Sequence, residues 1–202
     1  SKPYIQRPSY ADIKALAATA LAGLGSAQVE ALTSSQLAAM SSAQIAALPV
    51  DPASLAGLSS TDIANLSSLQ VAALTSAQPA ALTSTQLAAI ETADIKALST
   101  AALRALNADQ LSTLSAGQVA ALSSSQVASL TADQLAGLST ANLNAMGTAL
   151  FAGLTSTQVA ALTAAQVAKL ETADLAALST VALKGMTVEG VAALSTGQIV
   201  AL

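Results

Sequence analysis

The chain reads as an all-α solenoid, a superhelix of very short helices, and three observations lead there. From Ser9 to Leu202 the sequence is twenty-four copies of one eight-residue unit, such as TSSQLAAM (33–40), SSSQVASL (123–130) and TSTQVAAL (155–162). Within the unit, positions 5 and 8 are the apolar pair. Positions 1 and 4 carry Ser or Thr and Gln, in the pattern that starts a helix. A unit this short cannot bury its own apolar face, so the folding unit is the array.

Each position has a physical job. Position 8 is Leu in twenty units, Met in three (Met40, Met146, Met186) and Ile at Ile90. Position 5 is Leu, Ile or Val except at Pro79 and Phe151. Residues three apart share a helix face but fall on opposite faces of a strand, so a β-solenoid is disfavoured. One continuous helix fails as well. Eight residues at roughly 100° each overshoot two turns by about 80°, and the apolar stripe would spiral away. The helix must therefore break once per octad, leaving a segment of about six residues.

The break is written at positions 1 and 4. Ser or Thr occupies position 1 in seventeen octads, and Gln occupies position 4 in thirteen. Together they make a capping box, in which the hydroxyl accepts from the position-4 amide and the Gln side chain returns to the position-1 amide. Asp51 followed by Pro52 is a second start signal, because proline's missing N–H costs nothing at the first helical position. Position 7 is Ala or Gly in twenty octads, as expected where backbones approach closely. Positions 2, 3 and 6 are expected to face solvent, since Lys14, Glu30, Lys96, Arg104, Asp109, Asp133, Lys184 and Glu189 fall at 3 or 6. Lys169, at position 7, is expected to extend its stem outward. Met40, Met146, Met186 and Phe151 read as core residues.

The organisation is one continuous array over 9–202, preceded by residues 1–8 as an N-terminal arm or cap. The register breaks once, at the inserted pair Pro49 and Val50. Above the octad runs a period of eighty residues: ETADIKALSTAALRAL (91–106) returns as ETADLAALSTVALKGM (171–186), and ADIKALAATALAGL (11–24) is a degraded third copy. Two readings of this super-repeat stay open: duplication of ten-octad gene segments, or ten octads completing whole superhelical turns. Leu202 closes an ordinary octad with no polar capping unit, so the array is expected to continue or to join another chain end to end.

Composition excludes most chemistry. The chain has no Cys and no His, so disulfides, thiolate nucleophiles, zinc sites and imidazole acid–base work are not available to it. Seven basic residues against eleven acidic ones give a net charge of −4, with no basic stripe for nucleic acid. The aromatics Tyr4, Tyr10 and Phe151 are too few for a stacking platform. No apolar run approaches the ~18 residues of a transmembrane helix. SKPYIQRPSY, at the start, has no signal-peptide apolar core.

The only close acidic pairs at helical spacing are Glu91 with Asp94 and Glu171 with Asp174. Glu favours a helix N-terminus and Asp substitutes for the box Gln, which accounts for both pairs. Calcium is the alternative for these pairs, but the spaced-oxygen loop and its Gly are missing. There is no glycine-rich phosphate loop, and the serines are explained by capping. No catalytic, cofactor-binding or metal-ligating residue is expected, and the chain is expected not to be an enzyme.

The strings LTSTQVAAL and LTSAQ resemble the Leu/Ala-rich LTxxQVAAL tandem repeats of large secreted or surface-displayed bacterial proteins, over nearly the whole chain. That resemblance implies an extracellular or cell-surface setting. The same string is similar to the first helix of TAL-effector repeats, whose much longer unit adds a second helix and a variable residue pair. Neither feature follows here, so DNA reading is not implied. The expected function is a non-enzymatic rod, spacer or filament-forming segment, self-associating end to end or embedded in a longer chain. The alternative is a solenoid adhesin or binding module for a protein or glycan. Ice contact through Ser/Thr rows is a third, weaker idea, because the rows mix Ser with Thr.

Overall fold

The computed structural model describes residues 10–202, and the arm or cap expected at 1–8 lies outside them. Among the described residues there is one helix per octad and no strand, from α1 (Tyr10–Ala15) to α24 (Thr196–Ala201). The helices run four to six residues, shorter at the lower end than the six expected. Where a helix runs the full six residues, it ends because the position-8 residue leaves it. In α12 (Thr100–Ala105), Leu106 is extended (φ −66°, ψ 140°), and its amide bonds Leu103 O at 3.2 Å in a tight final turn.

The N-terminal starts follow the capping reading. In α16 (Ala132–Ala136), Thr131 Oγ1 accepts from Gln134 N at 3.2 Å, and Gln134 Oε1 accepts from Thr131 N at 2.9 Å. A side-chain cap of this kind contributes about 1 kcal/mol. That is too little to hold a five-residue helix alone, so stability comes from stacking. Each helix packs on the one three octads later. Thus α1 meets α4 (Ser34–Ala39), α4 meets α7 (Ser60–Ala64), and α18 (Gly147–Phe151) meets α21 (Thr172–Ala176), which meets α24.

Three columns of helices result, around a single apolar core running from Ile13 to Ala182. Positions 5 and 8 fill it, as read from the sequence, and Phe151 is wholly buried there as the bulky plug. Met40 and Met146 are buried in the same core, and Met186 packs against it half-buried.

Position 7 faces the coil beneath. A Cβ on Gly137 would lie 3.0 Å from Ala108 Cβ, and one on Gly185 would lie 1.9 Å from Ser156 O. Both neighbours sit at position 2, three octads earlier. The small residue is therefore set by backbone approach between coils. Lys169 is exposed, consistent with an outward stem.

The second column has one looser step, from α17 (Thr140–Ala145) to α20 (Ala164–Val167). Here Asn144 Nδ2 donates to Lys169 O at 3.0 Å. At this step the break between octads is also unlike the others. Met146 stays helical, and Gly147 takes φ +67°, the one positive φ among the described residues. Glycine accepts that conformation without the Cβ penalty.

Candidate functional site

With every octad built alike, the feature that could carry function is the joint between coils. The side chain that makes it is the position-4 Gln. Buried polar groups need partners, and these glutamines are buried: Gln134 is 2% exposed. Its Oε1 closes the capping box of its own octad. The Nε2 end reaches down to the octad four earlier and donates to Leu103 O at 2.8 Å and to Leu106 O at 2.7 Å. Gln158 does the same to Val127 O (2.8 Å) and Leu130 O (3.0 Å), and Gln198 to Val167 O and Leu170 O (both 2.9 Å).

The pattern recurs along the array at Gln44, Gln70, Gln78, Gln86, Gln110, Gln118, Gln126 and Gln166. The acceptors are always the position-8 carbonyl and that of position 5 or 6. One side chain thus starts a helix with its oxygen and ties that helix to the coil beneath with its nitrogen. Helices stack at three octads and the ladder bonds at four, so a coil takes slightly more than three octads.

Capping explained this Gln from sequence, and its second role was missed. A signal was present: no octad has Glu at position 4, although Glu serves a capping box equally well. Glu cannot donate to two carbonyls.

Octads without Gln handle the joint in other ways. Asn142, one methylene shorter, reaches a single carbonyl, Leu114 O, at 2.9 Å. Asp62 turns sideways: Oδ2 accepts from Ser59 N (2.8 Å) and Ser59 Oγ (2.7 Å), and Oδ1 accepts from Ser34 Oγ (2.6 Å), three octads back. Burial works to raise its pKa, but the bonds from Ser34 and Ser59 outweigh it, and the carboxyl ends below its ordinary value. Asp94 accepts from Ser68 Oγ in the same way. Asp51 is an exposed N-cap, held below its ordinary value by hydrogen bonds from Ser54.

The structure does not bring the two acidic pairs together. Glu91 caps and Asp94 lies on α11 (Thr92–Ile95), which stacks on α8 (Ser68–Ala73) and α14 (Ala116–Ala120), whereas Glu171 caps and Asp174 lies on α21. Glu91 and Glu171 are exposed N-cap residues whose side chains make no cap bond. Among the described residues, no group of three or more His, Cys, Asp or Glu could hold a metal ion, and no helix is long and apolar enough to cross a membrane.

The described surface is dominated by Ser, Thr and Ala, with scattered exposed apolar side chains such as Leu69 and Val181. Comparison with curated proteins finds no match. The family model of the ALTTAQ repeat matches residues 9–42, 87–124, 136–170 and 167–202, well over half of the sequence. With the octad as its unit and the Gln ladder as its joint, the chain belongs to the ALTTAQ repeat family.

Proposed function

We propose that the array is a non-enzymatic rod or spacer segment of a bacterial extracellular or cell-surface protein, able to associate end to end. The observation that carries this reading is the ladder itself. The same two-carbonyl joint recurs from Gln44 to Gln198, so each added octad extends the array by the same increment. Helix-to-helix spacing of about 8–10 Å sets the gain per coil. The side chains capable of chemistry are spent on capping and on the joint, which supports a role without catalysis. Coils of slightly more than three octads also favour the structural reading of the eighty-residue period, with ten octads closing three coils. The resemblance to secreted and surface-displayed repeats supports the location.

Electron microscopy of arrays with ten octads inserted or deleted tests the proposal. Rods that lengthen or shorten by three coil heights, roughly 24–30 Å, are the expected result. Particles whose dimensions ignore octad number, or discrete monomers that retain a defined protein or glycan, overturn the spacer reading.

A further inference from the structure

One joint of the ladder is not satisfied. Asp174 occupies position 4 of octad 171–178 and is 2% exposed, yet its Oδ2 has no hydrogen-bond partner. At the equivalent Asp62 and Asp94 the carboxylate accepts a hydroxyl from position 2 three octads earlier. Here that residue is Thr148, directly after Gly147, and it makes no such bond. The chain at this corner runs from helical Met146 through the positive φ of Gly147, unlike the extended corners elsewhere. In the octad four earlier, Asn144 Oδ1 is likewise buried without a partner. Asp174 Oδ2 is thus a buried acceptor for which a donor is missing. Asn142, of the same length as Asp174, shows what a donor does at position 4: its Nδ2 bonds the carbonyl below.

We propose that Asp174 is a proton-operated latch between coils, closed when its carboxyl is protonated and supplies that donor, and loosened when it ionises. The neighbourhood leaves little to compensate the charge. Helices α17, α18, α21 and α24 carry no titratable side chain besides Asp174 itself. Glu171, at the start of α21, is like-charged. Lys169 beyond α20 and Lys184 beyond α22 (Thr180–Leu183) are exposed. Burial first, and Glu171 second, push the Asp174 carboxyl above its ordinary 3.8. The folded chain therefore keeps this proton to higher pH than the unfolded chain. The stability it contributes is complete below 3.8 and is lost as pH rises through the folded value.

Carbon-detected NMR titration of the carboxyl groups in the whole chain tests the latch, with Asp62 as internal comparison. Asp174 is expected to titrate above 3.8 and Asp62 below it. An Asp174 midpoint at or below 3.8 overturns the proposal. Hydrogen-exchange protection of α21 amides, corrected for intrinsic rates, should fall as pH passes upward through that midpoint. The fall is about tenfold for each unit by which the midpoint exceeds the ordinary value. Asp174→Asn and Asp174→Gln should both abolish this pH step and keep high protection throughout. Persistence of the step in either variant, or its absence in the native chain, refutes it.

Discussion

Gln134→Glu separates the two jobs of the position-4 side chain, because it preserves one and abolishes the other. Length and the Oε1 acceptor for Thr131 N (2.9 Å) are retained, and a carboxylate near a helix N-terminus is itself favourable by a few tenths of a kcal/mol. If capping were the whole role, the variant would be neutral or slightly more stable. The Nε2 bonds to Leu103 O (2.8 Å) and Leu106 O (2.7 Å) are replaced by a second oxygen. Leu103 O keeps its backbone bond from Leu106 N, so Leu106 O bears the greater loss. Two neutral bonds at about 1 kcal/mol each, plus about 1–3 kcal/mol for a buried acceptor left unpaired, give roughly 3–5 kcal/mol of destabilisation at pH 7. Urea denaturation followed by far-ultraviolet circular dichroism measures it, with Thr131→Ala, expected to cost about 1 kcal/mol, as the capping-only control. Acid should restore part of the loss. The introduced carboxyl, facing carbonyl oxygens, has a raised folded pKa, so its penalty is absent below the unfolded value and develops as pH rises. Native stability of Gln134→Glu at pH 7 would refute the ladder as the joint between coils.

Gly185→Ala places a methyl 1.9 Å from Ser156 O and should destabilise strongly in urea, whereas Gly197→Ala, with open space around its Cβ, should gain about 0.5–1 kcal/mol from helix propensity; equal effects would contradict backbone approach at position 7. Asp62 has a lowered folded pKa, so its contribution is present above the ordinary 3.8 and is lost as pH falls through the folded value. Asp62→Ala should therefore narrow the stability gap to the native chain in acid, and a gap unchanged with pH would refute it. The hydrogen-bonded side-chain amides of Gln70 and Gln78 are expected to exchange slowly in NMR spectra, and deletion of Pro49 and Val50 should leave that slow exchange intact; its loss would show that the insertion is structural.

Local instructions were legible in the sequence and distant ones were not, for a physical reason. Capping, the helix break and the position-5 and position-8 core follow from residues within one octad. The need for a small position 7 was also legible, because a side-chain size limit shows in composition. Its partner, position 2 three octads earlier, was not. Gln134 was hidden further, because its carboxamide has two unlike ends and the local end sufficed to explain the residue. The partners of the other end lie 28 and 31 residues away, and in an array where every octad resembles its neighbours no pattern singles them out. The corner at Met146 and Gly147 was equally opaque. A Gly in place of Ser at position 1 reads as a weak cap, not as a turn with positive φ.

The inserted pair shows what fixes the coil's register. Before it, Gln44 bonds Ile13 O, 31 residues back; across it, Gln78 bonds Ile45 O, 33 residues back. Gln70 bonds Leu37 O at the same longer separation. The residue count changes by two, yet the partners remain positions 5 and 8 of the fourth octad before. Register therefore belongs to the octad and not to the distance along the chain, and Pro49 and Val50 are carried at the corner, where Val50 is about half exposed. This follows from how the joint is made. Its donor is a side chain set by the octad's own cap, and its acceptors are backbone carbonyls that every octad presents alike. Such a joint tolerates corner insertions and any number of whole octads, but not a shift of Gln within the octad, because one step along a short helix turns the donor about 100° away from the coil beneath.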